Sequence, residues 1–136
     1  MVVVDTGPLV AATIQADPDH ERCAAFFETT AEPLVMPQLV LAEAAYFVSK
    51  QLGSVAEAGF LRELAVASLE LYPLEGDDLD RMAELIETYA DLRLGAVDAS
   101  VIAVAERLGT TTIATLDRRH FTVVRPRHVE AFELVP

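Results

Sequence analysis

The four residues "VVVD" at positions 2–5 limit the fold more than any other part of the chain. A strand with one wet face alternates apolar and polar side chains, whereas Val2, Val3 and Val4 offer no polar face at all. So short and uninterrupted an apolar run predicts a strand covered on both sides, as in parallel sheets sandwiched between helices. The run ends on a carboxylate, Asp5. "TGPLVAATI" then reads as a helix, with Thr6 as N-cap and Pro8 in the first turn.

The same alternation continues downstream. Asp17-Pro18 opens a second helix running to about Thr29, and "PLVMP" (33–37) reads as a second strand. Residues 38–52 form a strongly apolar helix stopped by Gly53, and Ser54 with Glu57 has capping-box spacing for a helix to about Ser68. "LELYP" is a third strand, and Asp77 or Asp78 starts a helix to about Tyr89. After the loop "ADLRLGA", residues 97–108 are helical up to Gly109. "TTIATLD" reads as a strand, "TVVRP" as a short one and "AFELV" as an edge strand. Strands alternating with helices define an α/β class with a central parallel sheet flanked by helices, a three-layer sandwich. With no linker, repeat or low-complexity tract, residues 1–136 read as one domain. In such sheets ligands bind beyond the carboxyl ends of the strands, where Asp5 and Asp117 fall.

Composition narrows the setting. Hydrophobic residues make up 52% and mean hydropathy is +0.32, but no apolar run reaches the ~18–20 residues of a membrane span. "MVVVD" lacks a basic signal-peptide region, and the single Cys23 excludes an internal disulfide and a cysteine-based zinc site. A cytoplasmic location with no membrane contact is expected. Such an apolar small chain predicts a homodimer, or another protein to cover its surface. The net charge of −12 argues against a general nucleic-acid binder.

Most of the 22 acidic residues fit caps and solvated faces, among them Asp17, Asp19 and Glu21 or Asp77, Asp78 and Asp80 near helix starts. Four others keep apolar company. Asp5 follows three valines, Glu43 lies within "LVLAEAAYFV", Asp98 within "LGAVDASVIAVA", and Asp117 closes "TTIATLD". Taken singly, three have plain structural readings: Asp5 as a cap, Asp98 in a first helical turn, Asp117 in a turn. Glu43 has only a snorkelling surface role. A carboxylate in apolar surroundings either neutralises or finds a cation, and no lysine or arginine is close in sequence to Asp5 or Glu43. If the four converge, hard divalent ions such as Mg²⁺, with Mn²⁺ as the other candidate, fit all-oxygen ligands. The three histidines show no zinc-type spacing. Convergent carboxylates without histidine suit metal-assisted phosphodiester hydrolysis.

The blocks "VVVDTGPLVAA", "PQLVLAEAAYFV" and "DLRLGAVDASVIAVAERLGTTTIATLDRRHF" resemble the signatures of PIN-domain proteins, and more closely the VapC ribonuclease toxins of bacterial toxin–antitoxin pairs, with a mycobacterial flavour. The resemblance covers essentially the whole chain. It implies a PIN-like parallel sheet between helices and an Mg²⁺- or Mn²⁺-dependent endoribonuclease inhibited by a cognate antitoxin. It also implies metal-binding and catalytic roles for Asp5, Glu43, Asp98 and Asp117, and products with a 5′-phosphate and a 3′-hydroxyl. Thr6 and Thr115 are candidates to hydrogen-bond the carboxylates or their waters, and Asp91 ranks below them as a loop anchor or outer group.

Arg118, Arg119, Arg125 and Arg127 cluster just after Asp117, and the first three are candidate RNA contacts on a local basic rim. Ion pairing with surface acids is the competing reading for this cluster. On so acidic a protein, a structured target such as a transfer or ribosomal RNA is expected over bulk mRNA. Two other functions stay open at this level: a silent PIN-like module binding RNA or protein, and a phosphohydrolase with Asp5 as nucleophile. The second commonly wants a lysine near a strand end, which is lacking here.

Overall fold

The computed structural model describes all 136 residues. Five parallel strands form one sheet: β1 (Val2–Val4), β2 (Leu34–Pro37), β3 (Leu69–Tyr72), β4 (Thr112–Ala114) and β5 (Glu133–Val135), in the order β3-β2-β1-β4-β5. Seven α-helices connect them: α1 (Thr6–Thr13), α2 (His20–Thr29), α3 (Gln38–Leu52), α4 (Ser54–Val66), α5 (Gly76–Thr88), α6 (Ala96–Leu108) and α7 (Arg118–Val123). The result is the expected three-layer α/β sandwich. Every residue of β1 and β2 is buried, which requires cover on both faces, as the all-valine run foretold.

Chain order explains where a site can form. From β1 the chain moves outward to β2 and β3, then crosses back to pair β4 against β1. Neighbouring loops at the carboxyl ends of β1 and β4 therefore diverge and leave a crevice, the topological switch point of an open parallel sheet. Main-chain bonds fix its walls: Asp5 N–H donates to the Ala114 carbonyl at 2.9 Å, and Thr115 N–H to that of Val135 at 2.8 Å.

The helix boundaries have local causes. Gly53, at φ 88°, turns the chain from α3 directly into α4. Gly109, at φ 66°, closes α6 with the paired bonds of a Schellman ending: its own N–H reaches the Glu106 carbonyl, and Thr110 N–H reaches that of Ala105. Residues Ala99–Ala105 of α6 are buried on every side, so this helix forms the centre of its layer. Two arginines lock it to α5: Arg81 binds Glu106 at 2.8 and 2.9 Å, and Arg107 binds Asp78 at 3.0 and 2.9 Å.

Several local expectations change. "TVVRP" is not a strand: Thr122 and Val123 finish α7 and extended chain follows. The Asp117 cap and fully buried Phe121 outweigh the β-preference of three branched residues. The fourth strand stops at Ala114, so Asp117 begins α7 rather than ending a strand. Residues 17–19 form a turn, in which Asp19 N–H donates to Asp17 Oδ1 at 2.8 Å, and the helix starts at His20. The Ser54/Glu57 capping box does not form; the reciprocal box belongs to Glu75 and Asp78 at the head of α5. Asp5, not Thr6, occupies the N-cap position of α1.

Candidate metal centre and active site

The four acids reach the switch point from four connections. Asp5 follows β1, Glu43 lies one turn into α3, Asp98 is in the first turn of α6, and Asp117 caps α7. All four line one open cleft of about 560 Å³, together with Thr6, Gly7, Val10, Asp17, Phe47, Gln51 and Leu116.

Asp5 is the most enclosed, at 5% exposure. Its Oδ2 accepts the Thr115 hydroxyl at 2.8 Å, and that hydroxyl accepts the Asp117 N–H at 3.0 Å. One threonine thus ties the acid after β1 to the acid after β4. Burial pushes the Asp5 carboxyl up to about 6; the Thr115 hydroxyl and Thr6 amide oppose that, and the Asp98 and Glu43 charges add to it. Burial also raises Asp98, against the favourable charge of His120.

Glu43 is only partly buried. The buried stripe of α3 is Val40, Ala44 and Val48, and Glu43 flanks it. Phe47 and Gln51 follow at four-residue spacing and continue its face along the cleft. The apolar neighbours in sequence overstate its burial, since Tyr46 and Phe47 are themselves exposed.

His120 corrects the expectation of a site without histidine. Its Nδ1 lies 3.0 Å from Asp98 Oδ2 and 2.9 Å from Asp117 Oδ2. That buried nitrogen makes no well-directed hydrogen bond to either oxygen. Nε2 is 3.1 Å from the Leu92 carbonyl, which can only accept and therefore requires a proton there. Asp98, Asp117 and His120 offer ligand atoms within 4.8 Å of one another. The local signal was Asp117 to His120, three residues apart on a short helix; the pairing with Asp98 is purely tertiary.

These residues fit a divalent cation. The donors are predominantly carboxylate oxygens, the like charges need a counter-charge, and the buried Thr6 Oγ1 on the cleft wall has no partner within the protein. Asp17, read as an ordinary helix-start acid, also lines the cleft, as does Gln51. Asp91 does not: it is exposed on the 3-10 turn Ala90–Leu92. Of the candidate RNA contacts, Arg118 donates to the Pro136 carbonyl, Arg125 to that of Thr122, and Arg119 is exposed without a partner. Arg127 is ion-paired to Glu84, as the competing reading anticipated.

Comparison with known proteins agrees with this architecture. The PIN domain model matches residues 2–125. Ribonuclease VapC26 of Mycobacterium tuberculosis is 36% identical over 135 residues, covering 99% of this chain and 100% of the relative. Among solved structures, VapC20 of M. tuberculosis, a sarcin-ricin loop cleaving toxin, superposes with a TM-score of 0.81 at 17% identity, over 88% of this chain and 92% of the other. A toxin–antitoxin complex from Klebsiella pneumoniae gives 0.66 at 14% identity, over 91% and 92%. With the family model spanning nearly its whole length and a full-length relative above 30% identity, the chain belongs to the PIN-domain family, in its VapC group.

Proposed function

We propose that the chain is a divalent-metal-dependent endoribonuclease, the toxin of a toxin–antitoxin pair. The carrying observation is the convergence of Asp5, Glu43, Asp98 and Asp117 on the switch-point cleft of a chain related to a ribonuclease. These four acids would hold one or two Mg²⁺ or Mn²⁺ ions. When bound, such an ion supplies Lewis-acid activation of water and neutralises charge on the phosphoryl oxygens.

The protein's own groups prepare that chemistry. The Thr115 hydroxyl fixes Asp5 and sets its distance from the Asp117 turn. Burial makes an unpaired negative charge at Asp5 costly, so the site favours a cation. The Thr6 hydroxyl, unpartnered within the protein, is available to a water or phosphate oxygen in the cleft. The His120 ring sits with Nδ1 between Asp98 and Asp117 and ties that corner of the cleft, through Leu92, to the turn before α6.

Surface features support the partners. α1 has one side on the cleft and another on an apolar groove of about 470 Å³, lined by Leu9, Phe27, Leu34, Phe60 and Leu64. That groove suits the apolar face of an antitoxin helix, and the acidic cleft, at the other end of α1, suits a basic antitoxin side chain. Exposed Tyr46, Leu52, Val55 and Val66 on α3 and α4 suit a homodimer or a larger toxin–antitoxin assembly. No helix is long and apolar enough to cross a membrane, and we place the protein in the cytoplasm. The net charge of −12 favours a structured transfer or ribosomal RNA over bulk mRNA.

The test is cleavage of total cellular RNA by antitoxin-free protein with Mg²⁺ or Mn²⁺, against EDTA and against Asp5→Asn and Asp98→Asn. Discrete metal-dependent cuts that both substitutions abolish support the nuclease. Cleavage that survives both substitutions rejects the carboxylate site.

A further inference from the structure

An enzyme of net charge −12 that grips RNA needs cations not already spent on its own acids. Four of its ten basic residues are so spent. Arg22 pairs with Asp19, Arg81 with Glu84 and Glu106, Arg107 with Glu75 and Asp78, and Arg127 with Glu84. Arg118 and Arg125 are folded onto carbonyl oxygens, and Lys50 lies 5.8 Å from the Tyr46 ring centre. Arg62, Arg93 and Arg119 remain exposed and without a partner; none of the three lines the cleft itself, and Arg62 lies on α4, which carries none of the cleft's acids.

Arg93 and Arg119 are far apart in sequence but meet at one junction. His120 Nε2 sits 3.1 Å from the Leu92 carbonyl, so the residue preceding His120 and the residue following Leu92 flank the same contact. The ring of that histidine touches Asp98 and Asp117. Both arginines therefore stem from backbone that flanks this contact, within an arginine side chain's length of Asp98 and Asp117.

Arg93 carries a second, independent mark. At φ 57° it is the only non-glycine residue of the chain in the left-handed region. Glycine takes that conformation without steric cost, whereas a side chain there is strained. An arginine at such a position sacrifices local stability, and its exposed side chain gains nothing inside the fold to offset this.

We propose that Arg93 and Arg119 form a phosphate clamp on the cleft rim, binding backbone phosphates that flank the bond presented to the carboxylates. The inference rests on the nuclease reading and refines the basic rim. Arg93, which the charge cluster after Asp117 does not include, joins Arg119, while Arg127 is withdrawn by Glu84.

The experiment measures binding of a fluorescein-labelled 20-nucleotide RNA by anisotropy across a salt series, with Mg²⁺, in a Glu43→Gln background that limits cleavage. Arg93→Gln and Arg119→Gln should each weaken binding by about 3–10-fold at low salt. Each should also reduce the slope of log K against log salt by about 0.7, as expected for one lost contact to a single strand. Arg62→Gln should change neither. Arg93→Gly should weaken binding as Arg93→Gln does while its melting temperature does not fall, which separates lost contact from lost fold.

Binding in both glutamine variants equal to that of Arg62→Gln overturns the clamp. If the unsubstituted protein still cuts RNA in Mg²⁺, the nuclease reading survives that result. An unsubstituted protein that neither cuts nor binds RNA overturns both. RNA binding that depends on both arginines, without any metal-dependent cut, upholds the clamp and overturns the nuclease.

Discussion

Asp5→Asn should make the metal-free protein more stable while disabling it. The reason is the enclosure of Asp5, which raises its carboxyl from 3.8 to about 6. Between those values the native protein binds more protons than the unfolded chain, so stability falls as pH rises through the window. The whole deficit is present above about pH 6 and absent below about pH 4. At 1.36 kcal/mol for each pH unit, the shift corresponds to about 3 kcal/mol against the ionised form. Asparagine imitates the protonated acid: it has no charge to bury and keeps an oxygen for the Thr115 hydroxyl. For a domain of this size, about 3 kcal/mol corresponds to a rise of roughly 10 °C in melting temperature.

The assay is thermal or urea unfolding of both proteins in EDTA, from about pH 4 to about pH 8. The gap should open across that range in favour of Asp5→Asn and close at the acid end. Adding Mg²⁺ at neutral pH should narrow it, because only the native acid gains binding energy by mass action. A gap independent of pH would refute the burial account. So would an asparagine variant less stable than its parent at about pH 8, since the cost assigned to the buried charge would then not exist.

Three further outcomes test other parts of the site and fold. Glu43→Gln should reduce RNA cleavage at least about 100-fold in a fixed-time gel assay, with unfolding free energy within about 0.5 kcal/mol of the parent, because the side chain is only partly buried. Gly7→Ala places a methyl 3.2 Å from Leu116 Cβ, pressing on the residue between Thr115 and Asp117, so Mn²⁺ affinity measured by calorimetry should fall several-fold with about 1 kcal/mol of stability lost. Glu106→Ala removes the two-bond partner of Arg81, whose side chain is only 15% exposed and keeps just the 3.3 Å contact to Glu84, and should cost about 2–3 kcal/mol in urea unfolding.

The fold and the four acids were legible because both follow from short-range pattern. Val2–Val4 and the buried second strand declare a covered parallel sheet, and the rule for such sheets then directs attention to Asp5. Gly53 and Gly109 end α3 and α6 where a left-handed or otherwise unusual φ is needed, so those boundaries could be read directly. What could not be read depends on partners distant in sequence. The Asp78 side chain serves both Arg107, 29 residues away, and a local capping box, so nothing in the sequence favours that box over the one Ser54 and Glu57 promised. The role of His120 needs Leu92 and Asp98 brought beside it by packing. Asp17 looked like any helix-start acid until the turn at 17–19 carried it to the cleft wall. The strand expected at "TVVRP" failed because Phe121 is worth more in the core than Thr122 and Val123 are in a sheet.

Stability and function pull against each other at the switch point. Five acids line one cleft, and burial holds the deepest of them well above the ordinary carboxylate range. Without a cation the cluster weakens the fold, and protonation of Asp5 is one relief. A divalent ion is a second relief, and on the proposed function it also activates water. A basic side chain from an antitoxin would be a third, relieving the same charge without supplying that chemistry. Inhibitor and metal would then compete for one electrostatic deficit, and both should stabilise the native acid form more than Asp5→Asn. Arg93 repeats the pattern on the rim, where a strained backbone is kept for a charge the fold itself does not use. On the proposed function these costs lie where the chain meets a polyanion, and the packed α5–α6 layer, with its paired arginines, carries none of them.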